Sequence, residues 1–324
     1  MPVAAMRKVP ITLAILALLA VLLVVRVPGQ GVWHAALLNA VHGPIFALVA
    51  VLLLALIERK VAARPAAFAT AFLLSVALGI LIEILQSFAN RPGSVFDVLT
   101  DVAGAAAGLA TWALFAARRP DALQRNRGPA LPRKPPHVAW LPITIALAGV
   151  TFIAWAPLQA ARAYAHRAAV FPSIAEFRGA QDLVFVSTEG TQVAIEPLPE
   201  PWGRGADDLG LRIAYDAQHS PAVQVVEPVR DWRGYSVIAV DITNPASTQL
   251  GLTFRILDAR HDWSHADRLN LPLVVPPQTR TTVRVALSAV EAAPAGRYMD
   301  MSRIANVMLF GRAVAGPAES PAEF

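Results

Sequence analysis

Residues 65–87 read PAAFATAFLLSVALGILIEILQS, and residues 94–108 follow as SVFDVLTDVAGAAAG. Both runs are apolar enough for a lipid bilayer, yet each holds carboxylates: Glu83 in the first, Asp97 and Asp101 in the second. Ionisable groups at membrane depth cost several kcal/mol and are rare there, so these three residues are functional candidates by default. Everything else in the chain is read outward from them.

Composition sets the class. Hydrophobic residues make up 55 % of the 324 and charged residues only 16 %, with the apolar ones concentrated in the first half. That predicts a helical membrane half followed by a soluble tail. Five spans are expected, at 9–25, 35–57, 65–87, 98–117 and 138–158, each near the roughly 17 to 25 residues a crossing helix needs. Arg7 and Lys8 ahead of the first span could mark a signal peptide. Its apolar run is longer than an ordinary signal core and the chain re-enters the membrane soon after, which favours a retained helix.

Orientation follows from the positive charges. Arg7 and Lys8, then Arg59, Lys60 and Arg64, then Arg118, Arg119, Arg125, Arg127, Arg133 and Lys134 occupy the N-terminus and alternate loops. The positive-inside rule puts these in the cytoplasm, so five spans leave the tail outside, in the periplasm or beyond the cell. From Gln159 onward there is no Lys, and 15 Arg face 18 Asp and Glu. The net charge of +5 is therefore a topology signal of the membrane half, and a nucleic-acid partner is not expected. The absence of cysteine excludes a disulfide framework and leaves the compartment undecided.

On this topology the polar residues converge in one layer near the outer surface: Asn39 and His42 on the second span, Glu83 and Gln86 on the third, Arg91 and Ser94 in the connection, Asp97 and Asp101 on the fourth. Ser75, Gly79, Glu83 and Gln86 share one helical face, as do Asp97, Asp101, Gly104, Gly108 and Thr111. Gly104-Ala-Ala-Ala-Gly108 is a small-xxx-small pattern suited to close helix packing. Plainer readings stand beside the functional one. Ser94-x-x-Asp97 is also a helix-capping signature, Arg91 can pair with an acid or a lipid phosphate, and His42 can be a satisfied interior histidine.

His42, Glu83-x-x-Gln86, Arg91, Ser94, Asp97 and Gly104-x-x-x-Gly108, in that order, resemble the VanZ-like membrane proteins. The likeness covers about 9–117. The chain departs from the family at Asp101, where Asn is usual, and at Asn39, where an acid often precedes the histidine. The resemblance implies a cell-envelope role, the founding member being linked to reduced susceptibility to glycopeptide antibiotics, and it names no reaction. The expected organisation is a VanZ-like four-helix domain (1–117), a basic cytoplasmic loop (118–137), a fifth span (138–158), a linker (159–170), an extracytoplasmic domain (171–312) and a disordered tail (313–324).

From residue 171 the pattern turns to short alternating segments, at 183–187, 210–215, 223–226, 236–242, 250–257, 271–275, 281–287 and 304–310. Eight strands over some 150 residues suggest an all-β sandwich of jelly-roll type, large enough to bury its own core. Asp231-Trp-Arg-Gly-Tyr235, Asp241-Ile-Thr-Asn-Pro245, Arg255-Ile-Leu-Asp258, Asp267-Arg-Leu-Asn270 and Gly296-Arg-Tyr-Met-Asp300 resemble the landmarks of galactose-binding-like and carbohydrate-binding sandwiches. The resemblance implies glycan binding.

Asp258, His261, Trp263, His265, Asp267, Arg268 and Asn270 form one polar stretch around a tryptophan, the chemistry sugar recognition uses. The alternative is a structural loop in which Asp267, Arg268 and Asn270 hold the turn and Trp263 covers the edge of the core. His261 and His265 have a helical metal-ligand spacing, but a loop setting argues against zinc, and neither metal nor cofactor is expected. The chain contains no nucleophile elbow, zinc motif or phosphate loop.

Three functions follow. The first is a non-catalytic envelope protein on a membrane anchor that binds glycan. The second is a membrane-embedded enzyme acting on a lipid-linked glycan or headgroup, with Glu83 and Asp101 as acid and base, His42 as an alternative base and Arg91 clamping a phosphate. The third, an ion path, is disfavoured by the absence of internal duplication. Self-association into a homo-oligomer is left open.

Overall fold

The computed structural model describes residues 8–24, 31–88, 94–118, 140–215, 222–311 and 322–323. Two compact units are present, Met1–Ala160 and Ala161–Phe324. Arg91 and most of the basic loop at 118–137 lie outside the described residues.

The first unit is built from helices α1 (Lys8–Val24), α2 (Val32–Ile57), α3 (Arg64–Phe88), α4 (Val95–Arg118) and most of α5 (Trp140–Val170). Helices α2 to α5 are long and apolar enough to cross a membrane. The first expected span is shorter: α1 has 17 residues, about 26 Å at 1.5 Å per residue, against a hydrocarbon core of about 30 Å. Local signals explain the helix starts. Pro65 falls in the first turn of α3, where its missing N–H is no loss. Ser94 Oγ accepts the Asp97 amide 3.3 Å away, which starts α4 three residues earlier than the apolar run alone suggests.

The distribution of polarity in this unit is reversed relative to a water-soluble bundle. His42, Ser75, Glu83, Gln86, Thr100 and Asp101 are buried, while Leu73, Ile80, Leu81, Ile84 and Leu85 are exposed. An apolar exterior of this extent suits contact with lipid. Close packing comes from glycine. A Cβ at Gly108 would lie 2.5 Å from the Ala47 carbonyl oxygen, and one at Gly104 would strike the Gly43 backbone. The small-xxx-small face of α4 therefore meets a matching one, Gly43 to Ala47, on α2.

The second unit opens with the last turns of α5. Residues 159–170, expected as a linker, continue the helix instead. The segment is rich in alanine, the best helix former, and its long side chains find buried partners. Arg167 donates to the Val226 carbonyl at 2.9 Å and to that of Glu227, and its guanidinium lies 3.4 Å from the Phe185 ring centroid. Tyr164 meets the same ring edge-on and donates to Glu227.

A short helix α6 (Ala180–Leu183) precedes strands β1 (Val186–Glu189), β2 (Thr191–Pro197), β3 (Leu209–Tyr215), β4 (Ala222–Val226), β5 (Val237–Asn244), β6 (Leu250–Asp258), β7 (Leu269–Val275) and β8 (Thr279–Ala286). Helix α7 (Leu287–Glu291), β9 (Ile304–Gly311) and β10 (Ala322–Glu323) follow. All pairings among the described residues are antiparallel, in sheets ordered β1-β4-β9-β6-β7, β10-β3-β2 and β5-β8.

A hydrophobic core lies between the five-stranded sheet and the β5-β8 pair, giving a sandwich-like arrangement. Phe254, Ile256, Ile304 and Val307 from one side meet Ile238, Val240, Val283 and Val285 from the other. Strand β6 shows why: Leu250, Leu252, Phe254 and Ile256 alternate with less buried Gly251, Thr253 and Arg255, the period of two that a half-buried strand requires. Sequence alternation found most strands within two or three residues but missed β2. The segment at 183–187 splits between α6 and β1. In the tail expected to be disordered, the described residues Ala322 and Glu323 pair with Tyr215 and Ala214 of β3.

Candidate functional site

Two groups of candidates emerge, one inside each unit. In the helical unit, His42 on α2 and Asp101 on α4 meet through a 3.1 Å contact between Nδ1 and Oδ1, both side chains almost fully buried. Gly79 on α3 makes room for this pair, since a Cβ there would sit 2.8 Å from Asp101 Oδ2. Small residues on α3 thus admit a carboxylate that a larger face would exclude.

Glu83 Oε2 accepts the Ser94 backbone N–H at 2.8 Å. In a capping box that amide is served by the acid three residues into the helix; here the preceding helix serves it. Glu83 Oε1 and Asp101 Oδ2 are buried and have no hydrogen-bond partner among the described residues. A ring nitrogen of His42 and one carboxylate oxygen each from Glu83 and Asp97 lie within 4.8 Å of one another. Gln86 points elsewhere, donating to the Leu22 carbonyl of α1 at 3.1 Å, and Asn39 is half-buried. Of the eight polar-layer candidates, the structure joins His42, Glu83, Ser94, Asp97 and Asp101 into one cluster, and Arg91 falls outside the described residues.

In the sandwich unit, the stretch from Asp258 to Asn270 is the β6–β7 loop with its flanks. Its acids are occupied. Arg297, 39 residues downstream of Asp258, forms a bidentate bond to that carboxylate at 2.7 and 2.9 Å and also grips Asp267. The Asp300 amide donates to Asp258 Oδ2 at 2.7 Å, and the Asp262 amide to Asp267 Oδ2 at 2.9 Å. Burial pushes the Asp258 carboxyl upward, but the Arg297 bonds and the backbone amides outweigh it and hold the group below the usual carboxylate range. Asp267 is held low first by its bond to Arg297, and Arg297 is raised in turn.

Asn270 Oδ1 accepts from Arg255 Nε at 2.7 Å, while its amide donates to the His265 carbonyl at 3.0 Å. Asp258, Asp267 and Asn270 are thereby framework groups, closer to the structural-loop reading than to direct ligand contact. Sequence reasoning missed Arg297 as the centre of this framework, although it lies inside a landmark already singled out, Gly296 to Asp300.

Trp263 behaves differently. It is 70 % exposed, at a left-handed φ of 68°, with the His261 ring edge-on at 4.3 Å. It does not cover the edge of the core. Tyr298, 74 % exposed, stands on the neighbouring loop, which Ala295 ties to this one by donating to the Ala266 carbonyl at 2.8 Å. An open hollow of about 340 Å³ in this region is lined by His265, Ala266, Arg268, Leu269, Asn270, Ala293 and Ala295. His261 and His265 occupy loop rather than helix, so their helical ligand spacing is not realised.

No protein-family model matches the chain, and no curated protein matches it. Among solved structures it is similar to an exo-β-agarase, at 13 % identity over 43 % of this chain and 21 % of that one, with a TM-score of 0.33. It is also similar to a family 11 carbohydrate-binding module from Clostridium thermocellum in complex with a β-1,3-1,4-mixed-linked tetrasaccharide, at 13 % identity over 46 % of this chain and 86 % of the module, with a TM-score of 0.30. The agarase AgWH50C matches at 12 % identity over 43 % of this chain and 22 % of its own, with a TM-score of 0.31. The chain thus spans about a fifth of the agarases' length, and TM-scores of this size do not establish a shared fold.

Proposed function

We propose that this chain is a cell-envelope membrane protein whose helical half, VanZ-like in type, anchors an extracytoplasmic jelly-roll domain that binds glycan. The orientation rests on the basic residues of the N-terminus and alternate loops. The VanZ-like reading rests on His42, Glu83, Gln86, Arg91, Ser94, Asp97, Gly104 and Gly108, of which His42, Glu83, Ser94 and Asp97 lie in one cluster.

The observation that carries glycan binding is Trp263. A large apolar ring held in water, at a backbone angle L-residues rarely adopt, is a cost the fold tolerates for a reason outside its own packing. Such a ring offers a flat face to the apolar side of a pyranose. The hollow in the same loop region, with Arg268 and His265 on its wall, offers polar groups for hydroxyls. The framework of Asp258, Asp267 and Arg297 sets the loop in place before ligand arrives, which lowers the entropy lost on binding.

Retention on columns of immobilised envelope polysaccharides tests this reading. The full-length protein in nanodiscs should be retained and its Trp263→Ala variant should elute early. Equal elution of the two would overturn it. Because the chain has no cysteine, a single introduced Ser187→Cys also reports the side of the membrane, and an impermeant maleimide should label it in cells whose inner membrane is intact.

A second reading is favoured by the buried contact of His42 with Asp101 beside Glu83. It makes the helical half an enzyme acting on a lipid-linked glycan or headgroup. Unaltered envelope phenotypes in Glu83→Gln and Asp101→Asn cells at normal expression would remove it.

A further inference from the structure

We propose that His42, Glu83 and Asp97 bind a divalent transition-metal cation inside the helical unit, with Asp101 as the positioning residue for the imidazole. This stands apart from the glycan-binding reading, which concerns the other unit.

The geometry is the first support. One ligand atom from each of three helix-borne side chains falls within 4.8 Å of the others. Two ligands on a tetrahedral ion with bonds of about 2.0 to 2.1 Å stand about 3.3 Å apart, so small rotamer adjustments close the site. Glu83 is the second support. It is 7 % exposed, and its Oε1 is buried with no hydrogen-bond partner among the described residues. A buried carboxylate oxygen without a donor is costly unless it is protonated or takes a cation.

Asp101 is the third. Its Oδ1 lies 3.1 Å from His42 Nδ1. With Asp101 ionised and accepting from Nδ1–H, Nε2 is the ring nitrogen left with a lone pair for a cation. A carboxylate fixing the tautomer and orientation of a histidine is the arrangement that stands behind metal-bound imidazoles, and it raises their basicity. Gly79 is what lets that carboxylate reach the position, because a Cβ there would crowd Oδ2 at 2.8 Å.

The donor set indicates the class of ion. One imidazole nitrogen and two carboxylate oxygens suit first-row divalent ions such as Zn²⁺ or Mn²⁺. They do not suit Ca²⁺, which takes six to eight oxygens, or Mg²⁺, which prefers oxygen and water. Three protein ligands leave a fourth position for an exogenous group.

The test uses the full-length protein in nanodiscs, stripped with a chelator, equilibrated with Zn²⁺, desalted and assayed for metal by mass spectrometry. One Zn²⁺ per chain is expected, and millimolar Mg²⁺ should not displace it. Glu83→Gln and Asp97→Asn should weaken binding at least tenfold. Asp101→Asn should weaken it about tenfold, the range seen when an outer partner of a ligand histidine is changed. The double variant His261→Gln, His265→Gln should keep its metal.

Zn²⁺ should also raise the melting temperature of the wild type and leave that of Glu83→Gln unchanged, a comparison that holds even where the variant is less stable. Metal below a tenth of an equivalent in the wild type would overturn the proposal. So would full retention in Glu83→Gln, or loss of the metal in the His261, His265 double variant.

Discussion

Replacing Trp263 separates display from packing. With 70 % of the residue exposed, the covered remainder is about 75 Å² of a side chain that can bury up to about 250 Å². At about 25 cal/mol per Å² its removal costs at most about 2 kcal/mol, less the part that a Cβ retains. Trp232 is the contrast. It is 4 % exposed, and its indole N–H donates to the Val229 carbonyl at 2.7 Å, so truncation to Ala should cost about 3 to 5 kcal/mol.

The backbone angle adds a sharper expectation. Glycine is ordinarily less stable than alanine by about 0.5 to 1 kcal/mol, but at a φ of 68° the left-handed penalty of about 1 to 2 kcal/mol falls on alanine alone. Trp263→Gly should therefore be more stable than Trp263→Ala, by about 1 kcal/mol, while both lose glycan binding. Urea denaturation of the fragment 161–324, followed by intrinsic fluorescence, measures the first and polysaccharide retention the second. A loss of 3 kcal/mol or more in Trp263→Ala would mean that the ring is packed, and the usual alanine-over-glycine order would mean that the loop is not left-handed there.

Three further outcomes follow from the structure. Arg297→Met should destabilise the fragment by about 2 to 4 kcal/mol, because it leaves Asp258, whose side chain is 0 % exposed, as an uncompensated buried charge; a loss under 1 kcal/mol in the same denaturation assay would contradict that. Asp258, Asp267 and Asp241 are all held below their ordinary values, so the stability they contribute is present above the unfolded carboxylate value of about 3.9 and drains away as pH falls through their folded values. A pH series should be flat near neutrality and decline below about pH 4, and Arg297→Met should blunt that decline. Gly108→Leu, which drives a side chain into the Ala47 backbone, should lower the melting temperature of the full-length protein in detergent more than Gly205→Leu, where an added Cβ meets nothing within 4 Å.

The helical half was legible because long apolar helices obey strong, local rules. Length and apolarity locate the spans, and a spacing of three and four residues groups Ser75, Gly79, Glu83 and Gln86 on one face, all four of them buried. The partner of Gly104 and Gly108 was legible only as a small surface somewhere, since which helix supplies it depends on tertiary packing. Asn39 and Gln86 show the limit of placing residues by depth: Gln86 shares the layer of Glu83 but turns to α1.

In the second unit, period-two alternation located β6 because Leu250, Leu252, Phe254 and Ile256 face one core. It missed β2, whose Thr191 to Pro197 are mostly half-buried and so carry little contrast between faces. Asp258 and Asp267 looked like ligand groups because a carboxylate in a loop reads the same whether it meets solvent, a sugar or a distant arginine. Their partner, Arg297, lies 39 and 30 residues away and is brought back by strand pairing that no local signal encodes. The end of α5 was misplaced for a related reason. Loss of apolarity after Leu158 marks where the apolar run ends, while the helix itself continues because Tyr164 and Arg167 dock on Phe185.

The most direct measurement of the central claim is a glycan array probed with the full-length protein in nanodiscs, with Trp263→Ala run in parallel. The account predicts a discrete set of bound glycans in the wild type and their loss in the variant, with thermal unfolding of the sandwich unit shifted only slightly. A correctly folded wild type that binds nothing, or binding that the variant retains in full, would contradict it.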